Sequence, residues 1–334
     1  MKISACTIAI PCAVVLMVVL PGCGEADSPG PPRPLAPALS AIGGGGADGS
    51  LGVGWLDPQR VERRGLDVDT LSDALLPNAR TFVDVAPRLR RRFGFDPLSA
   101  TRLISVGGSY AFGLRLDGVD ASGLDRALIE AGGRARRSGP LQLIEVGDYA
   151  VVPQPLLDAG VRGLGAFDAL GRGLSVLAIS NQARAALLGE GDRLIDEPIY
   201  PAAADCLGDV VAARLVPDKH IISTELEVQV VAAGVRREGQ EVLCVLGGTP
   251  ERADKVAHSL EAGLALDARD PVSGEPIGRS VEAVDIARDS YGDVEAVRAD
   301  VTLTASEPPG YLFGQISVAS VVAWITGNER TFIR

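Results

Sequence analysis

The sequence predicts an α+β protein whose sheets are mainly antiparallel, with helices packed on one face. Several short segments alternate apolar and polar side chains, a pattern typical of strands that expose one face to water. Segments with apolar residues three or four positions apart lie between them and predict amphipathic helices. Continuous apolar strands, which a doubly wound parallel sheet requires, are few. The chain of 334 residues is 46% apolar and can therefore bury a large core.

The first predicted group of elements is a strand, a helix and a hairpin. The segment 112–117 alternates apolar residues with polar or small ones and predicts a strand. Asp120 is expected to cap a helix that ends at Gly132. Two further strands are expected at 141–146 and 149–152, with a tight turn between them.

A similar order of elements recurs later in the chain. The apolar segment 242–246 predicts a buried strand, and Thr249 followed by Pro250 predicts the start of a helix. Long strands are expected near 277–287 and 294–304. The repeated order favours two related strand-helix-hairpin halves.

We therefore expect a first α+β unit over residues 51–216 and a second unit over residues 217–334, packed on the first. Between the two groups, the pattern predicts a buried strand at 174–179 and a short helix at 181–189. It also predicts a strand at 226–230, where apolar and polar residues alternate strictly. These elements complete the predicted sheets.

Residues 310–327 form a segment of 18 residues without a charge, so they admit two interpretations. The length is at the lower limit for crossing a bilayer of about 30 Å. However, the segment contains polar side chains, and Leu312, Ile316 and Val322 lie on one helical stripe. We expect a helix packed on the core.

The segment 85–93 predicts a helix with a charged outer face. Its apolar residues recur four positions apart, at Val85, Leu89 and Phe93. The other face carries four arginines, Arg88, Arg90, Arg91 and Arg92. We expect these arginines to be solvated, and the alternative is contact with anionic lipid headgroups.

The amino end has the layout of an export signal. Residues 3–24 contain no charged side chain, Lys2 and the amino terminus supply positive charge, and residues 8–20 are largely apolar. A positive end followed by a short apolar run is typical of a signal peptide.

The apolar run closes with Leu20, Pro21, Gly22 and Cys23, which resembles the lipobox of bacterial lipoproteins. In that family a diacylglycerol is attached to the cysteine thiol, and a peptidase then cleaves just before the cysteine. The resemblance implies a signal peptide over residues 1–22 and a mature chain that begins at Cys23. Pro21 departs from the Ala, Ser or Thr that is usual at its position.

The composition resembles that of lipoproteins of unassigned function from GC-rich, actinomycete-type bacteria, since only three of the 32 basic residues are Lys. This resemblance implies a cell-membrane location on the extracytoplasmic face and a lipid anchor, but no activity. Two alternatives remain open: an uncleaved membrane helix, and an ordinary signal peptide cleaved elsewhere. All three place most of the chain outside the cytoplasm.

Residues 23–50 are expected to form a tether. Five prolines lie between Ser28 and Pro37, and four glycines follow at 43–46. Proline-rich segments are stiff and extended, whereas glycine-rich segments are flexible. The folded part is therefore expected to begin near Leu51.

Two cysteines remain in the exported chain after processing. Cys6 and Cys12 leave with the signal, and Cys23 carries the lipid, which leaves Cys206 and Cys244. An even number of cysteines in an oxidising compartment predicts a disulfide between them. The alternative is two buried free thiols, because Cys244 lies in a predicted buried strand.

The sequence contains no short motif for catalysis, for a metal or for a cofactor. The net charge of −11 argues against a nucleic-acid partner, since phosphate binding needs clustered cations. The two histidines, His220 and His258, lack the spacing of metal ligands. No nucleophile elbow and no phosphate-binding loop is present. We expect no cofactor and no enzymatic activity.

We interpret the chain as a lipid-anchored, extracytoplasmic envelope protein that acts as a non-enzymatic interaction or ligand-binding module. Its expected partners are the membrane, through the lipid on Cys23, and an envelope protein or a lipid-like ligand. Two alternatives are a surface-anchored hydrolase without a short motif and a structural or assembly lipoprotein.

Overall fold

The computed structural model describes twelve parts of the chain. They are residues 33–44, 52–76, 82–107, 112–138, 141–145, 158, 166–170, 173–178, 181–217, 227–271, 273–317 and 320–326. The predicted signal peptide and Cys23 lie outside these described residues.

The described residues contain twelve strands. They are β1 (Gly52–Leu56), β2 (Arg102–Gly107), β3 (Phe112–Asp117), β4 (Arg134–Ser138), β5 (Leu141–Glu145), β6 (Ala166–Leu170), β7 (Leu174–Ala178), β8 (Ala212–Pro217), β9 (Val228–Arg237), β10 (Gln240–Gly247), β11 (Val281–Tyr291) and β12 (Val294–Leu303).

The described α-helices are short, and the longest has 14 residues. They are α1 (Ala36–Leu39), α2 (Pro58–Arg63), α3 (Val68–Leu71), α4 (Ala86–Phe93), α5 (Ser122–Glu130), α6 (Asn181–Leu187), α7 (Ile199–Leu207), α8 (Pro250–Gly263), α9 (Tyr311–Ser317) and α10 (Ser320–Thr326). Single 3-10 turns lie at Ser72–Ala74, Pro97–Ser99, Leu194–Asp196 and Ile277–Arg279.

All twelve strands belong to one sheet, with the order β11-β12-β10-β9-β8-β1-β2-β3-β7-β6-β5-β4. Every pair of neighbours in this order is antiparallel. The predicted antiparallel α+β class is therefore confirmed.

Two halves of the chain follow the same path through the sheet. In the second half, the meander β8-β9-β10 is followed by α8, and the hairpin β11–β12 then returns with β12 beside β10. In the first half, the meander β1-β2-β3 is followed by α5, and the later hairpin β6–β7 returns with β7 beside β3. The hairpin β4–β5 is an insertion that extends the first half outward. The two central strands, β1 and β8, pair with each other.

The predicted hairpin after α5 is shifted by one strand. It consists of β4 and β5, whereas we expected strands at 141–146 and 149–152; residues 149–152 lie outside the described residues. The sequence Arg-Ala-Arg-Arg-Ser of β4 has no apolar alternation and therefore gives no strand signal. In the second half, 277–279 forms a 3-10 turn, and β11 begins only at Val281.

Helices pack on both faces of the sheet, so the expectation of helices on one face was wrong. One apolar cluster joins one sheet face to α4, α5, α8, α9 and α10, and a second cluster joins the other face to α1, α6 and α7. The reason is that the central strands are apolar on both sides, and every residue from Val230 to Val235 in β9 is buried.

Residues 33–44 already belong to the folded part, so the predicted tether of residues 23–50 is too long. Leu35, Leu39 and Ile42 are fully buried in the core. The Gly43 N–H donates to the carbonyl oxygen of Ala186 at 2.7 Å. Burial of three large aliphatic side chains outweighs the local tendency of prolines and glycines to stay extended.

Arg115 fixes this amino-terminal segment to the sheet. Its guanidinium group donates to the carbonyl oxygens of Ala41 and Leu187, both at 2.8 Å, and to the carboxylate of Asp117 at 2.8 Å. The residue on β3 thereby connects α1 and α6, which are far apart in sequence. Charge-assisted bonds of this kind are stronger than neutral ones.

The two predicted units, 51–216 and 217–334, are not separate bodies. The residues from Arg33 onward form one compact unit. The hydrogen-bond ladder crosses the predicted boundary, because β8 pairs with β9 in a register that places Ala212 opposite Val235. The second half therefore continues the sheet of the first, whereas we expected it to pack on that sheet.

The uncharged segment 310–327 packs on the core as two short helices, α9 and α10. Leu312, Phe313 and Trp324 in them are at most 2% exposed. Among the described residues, no helix combines the length and apolar character needed to cross a bilayer.

Cys206 and Cys244 form the predicted disulfide, which joins α7 to β10. Their Cα atoms are 6.3 Å apart, within the usual range for a disulfide, and both side chains are fully buried. The bond ties the helix layer of one face to a central strand.

Candidate functional site

Of the residues that the sequence singled out, Cys206 and Cys244 lie in the core, where they serve the structure. Cys23 and His220 lie outside the described residues. His258 is exposed on α8, and its Nδ1 lies 2.9 Å from the carbonyl oxygen of Asp254 on the same helix. Cys206, Cys244 and His258 do not line either of the two grooves described below.

The first groove lies between the end of α8 and the edge strand β11, and we call it the β11 groove. Its volume is about 560 Å³. The lining residues are Glu261, Leu264, Ala265, Leu266, Glu282, Ala283, Val284, Asp285 and Ile286.

The β11 groove has an apolar floor and an acidic rim. Leu264 is buried beneath it, Val284 and Ile286 are half-buried, and Leu266 is 48% exposed. Exposed carboxylates from Glu261, Glu282 and Asp285 surround this floor. Apolar side chains close to several acids suit a partner with both apolar and cationic groups.

Strand β11 also presents free backbone groups beside this groove. Among the described residues it pairs only with β12, so its outer edge has no strand neighbour. The strand has 11 residues, and most of its side chains are exposed. A long, exposed edge can accept a further strand through backbone hydrogen bonds.

The second groove lies between α4 and α5, and we call it the α4–α5 groove. Its volume is about 700 Å³. It is lined by Arg92, Phe93, Gly123, Arg126, Ala127, Glu130 and Ala131. Arg92 already pairs with the carboxylate of Asp158 at 3.2 Å, and its guanidinium carbon lies 5.7 Å from the centre of the Phe93 ring. Part of the basic charge in this groove is therefore compensated within the chain.

The outer face of α4 agrees with the predicted helix. Val85 and Leu89 are buried, whereas the four arginines are exposed. Arg90 pairs with Asp96 at 3.2 Å, so this face also carries internal ion pairs. The alternative prediction, that these arginines contact lipid headgroups, stays a prediction.

Gly123 allows α5 to approach the end of α4 closely. A Cβ atom at this position would lie 1.8 Å from the carbonyl oxygen of Phe93, which is backbone and cannot rotate away. The close approach of the two helices therefore depends on the missing side chain.

We predict that Gly123→Ala and Gly314→Ala change the free energy of unfolding in opposite directions. Gly123→Ala forces the helices apart and should cost about 2 kcal/mol or more. Gly314 lies in α9 with open space around its Cβ position, so Ala there should stabilise the protein by about 0.5–1 kcal/mol. Urea unfolding of both variants measures the two changes. A loss of equal size in both would contradict the packing described for Gly123.

Two carboxyl groups with raised pKa values, Asp125 and Glu241, do not line either groove. Burial, followed by the nearby charge of Asp120, raises the pKa of Asp125 to about 6. Burial raises the pKa of Glu241 to about 7, while three backbone N–H donors act in the opposite direction. Glu241 accepts hydrogen bonds from the start of α9, so its burial is explained by folding.

Within the described part of the chain, no group of three or more His, Cys, Asp or Glu side chains is arranged to hold a metal ion. The residues that line the two grooves do not include a nucleophile–base pair of the kind that catalysis needs.

Sequence reasoning did not identify the β11 groove. Val284 and Ile286 lie on either side of Asp285, which suggests a strand but not its place at the edge of the sheet. A usable signal is Leu266, a large apolar residue that follows the end of a helix and precedes Asp267.

Comparisons of the chain with known protein families, with curated proteins and with solved structures find no match.

Proposed function

We propose that this protein is a lipid-anchored, extracytoplasmic, non-enzymatic interaction module that binds an extended partner segment in the β11 groove. The observation that supports this proposal is the combination of an apolar floor, an acidic rim and a free strand edge within one groove. Each of the three features contributes a different part of the recognition.

The free edge of β11 supplies affinity for a backbone. A segment that adds as a further strand forms ladder hydrogen bonds with β11, and its alternate side chains point towards the groove. Val284 and Ile286 would contact those side chains of the segment that point towards the groove. Binding by strand addition is thus largely independent of the partner's exact sequence.

The acidic rim supplies selectivity. Glu282 and Asp285 lie on the strand itself, and Glu261 faces it from α8. A partner with Lys or Arg next to apolar residues is favoured, and an acidic partner is repelled. The same charges disfavour a lipid-like ligand, which is better suited to a closed apolar cavity.

The anchor supplies a high local concentration. The ten Cα steps from Cys23 to Arg33 span at most about 35 Å. A lipid on Cys23 would therefore keep the folded part close to the membrane. There, the β11 groove could bind envelope partners even with low affinity.

Site-specific photocrosslinking tests this proposal. Leu266 is replaced by the photoreactive residue benzoylphenylalanine in the full-length protein, and membranes of the producing cells are irradiated. The matched control carries the same replacement at Ile129, which is 43% exposed on α5 and lines neither groove. We expect a discrete covalent adduct from position 266 and none from position 129.

A second change shows whether the adduct depends on the groove. Ile286→Asp places a charge on the apolar floor, and it should abolish the adduct at position 266 if the partner lies on β11. The absence of an adduct at 266, or equal adducts at 266 and 129, would contradict the proposal.

A further inference from the structure

The two outer strands of the sheet carry opposite charges. The acidic edge is β11, whose sequence includes Glu282, Asp285 and Asp289. The basic edge is β4, whose five residues include Arg134, Arg136 and Arg137. The one basic residue of β11, Arg288, already pairs with Asp254 on α8.

Both outer strands have one free side among the described residues. β11 pairs only with β12, and β4 pairs only with β5. Exposed edges of this kind normally carry a device that prevents uncontrolled pairing. Like charges would oppose pairing of β11 with β11 and of β4 with β4, whereas opposite charges would favour pairing of β4 with β11.

The strand directions fit such a contact. In the described part of the chain the sheet contains twelve strands, and each is antiparallel to its neighbour, so the first and last of these strands run in opposite directions. A second copy placed beside the first, and rotated as the twist of the sheet requires, brings its β4 next to β11 in the antiparallel sense. This arrangement also keeps each helix layer on the same face of the extended sheet. The junction therefore repeats the pairing found throughout the molecule.

We infer that the segment bound at β11 is strand β4 of a second copy of this chain, so that the protein associates head to tail through the edges of its sheet. This inference rests on the proposed function, since it names the partner of the β11 groove. Because β4 of one copy pairs with β11 of another, a pair of copies still has one unpaired β11 and one unpaired β4 at its two ends. Association then proceeds to a ring or an open chain and does not stop at a symmetric dimer.

The signs of the charges distinguish head-to-tail association from edges whose charges only prevent strand pairing. If the charges served only to prevent pairing, both edges could carry the same sign. Opposite signs instead predict that the acidic edge of one copy attracts the basic edge of another, and that salt weakens the association.

The test uses two charge-reversed forms of the full-length protein, purified from membranes in mild detergent. The first, Arg134→Glu with Arg136→Glu and Arg137→Glu, has two acidic edges. The second, Glu282→Lys with Asp285→Lys and Asp289→Lys, has two basic edges. Urea unfolding verifies that each variant is folded. Sedimentation velocity then measures association over a range of protein concentrations.

We expect the unchanged protein to form species larger than dimers as its concentration rises. Each reversed form alone should associate about tenfold or more weakly. An equal mixture of the two forms should associate again, because acidic edges then meet basic ones. As a control, Glu238→Lys, in the exposed turn between β9 and β10, should leave association unchanged.

Two results would overturn the inference: an unchanged protein that stays monomeric, or a mixture of the reversed forms that fails to associate. In that case, a crosslink from position 266 to a different protein would show that the groove binds that protein. The proposed function would then be supported, and only self-association would be contradicted. If position 266 gives no adduct at all, the proposed function itself falls.

Discussion

Replacing Glu241 by Ala should lower the free energy of unfolding by about 3 kcal/mol or more. Glu241 is 2% exposed on β10, and its carboxylate accepts hydrogen bonds from the backbone N–H groups of Gly310, Tyr311 and Leu312. These groups begin α9, where the helix has no internal acceptors for them. The Ala variant leaves three donors without this acceptor, one of them buried and two half-buried, and adds a cavity. Urea unfolding below the pKa of Glu241 measures the loss.

Two variants control for this interpretation. Glu238→Ala removes an exposed carboxylate just before β10 and should change stability by less than about 0.5 kcal/mol. Glu241→Gln keeps one carbonyl oxygen as an acceptor but directs its amide NH2 group at the N–H of Leu312. The loss of unfolding free energy in this variant should therefore be smaller than in Glu241→Ala. If Glu241→Ala costs no more than Glu238→Ala, the attachment of α9 through this residue is wrong.

Stability should also fall as the pH rises, because of the same residue. Burial raises the pKa of Glu241 from 4.5 to about 7 in the folded protein. The folded state then holds the proton more tightly than the unfolded state, so the stabilising contribution is complete below about pH 4.5 and is lost as the pH passes through 7. This loss is about 3 kcal/mol. The difference in unfolding free energy between wild type and Glu241→Gln isolates it, and a difference that stays constant with pH would contradict it.

Replacing both cysteines of the disulfide, Cys206→Ala with Cys244→Ala, should lower the free energy of unfolding by about 3 to 4 kcal/mol. The bond closes a loop with a sequence separation of 38, and loss of that restraint favours the unfolded chain. Both side chains are buried between α7 and β10, so Ala also removes some packing.

Reduction of the unchanged protein separates these two effects. It breaks the bond but keeps both sulfur atoms in the core, so the reduced protein should lie between the oxidised protein and the Ala variant in urea unfolding. If a reductant leaves the stability of the wild type unchanged and free thiols are already present before its addition, then the bond does not form in the purified protein.

The sequence predicted those parts of the fold that depend on short-range patterns. Alternation identified β3 and β12, and the cap pattern at Thr249 and Pro250 located α8, because side-chain period and capping are local properties. The disulfide was predicted from the count of cysteines that would remain after the predicted signal peptide is removed and Cys23 is lipidated. Its geometry required the fold.

Long-range pairing was not predictable in the same way. The arginine-rich β4 forms a strand only because β5 lies beside it, and residues 35–42 pack in the core only because α6 and α7 form a surface for them. The β11 groove likewise depends on which strand is outermost in the sheet. Such facts are set by topology, and no short segment of sequence encodes them.

The central claim is that the protein acts at the membrane surface through a lipid on Cys23. The most direct test is the intact mass of the protein extracted from membranes of the producing cells, together with the mass of its amino-terminal peptide. We predict a chain that begins at Cys23 and carries the added mass of acyl groups. A chain that still begins at Met1, with Cys23 unmodified, would contradict the claim.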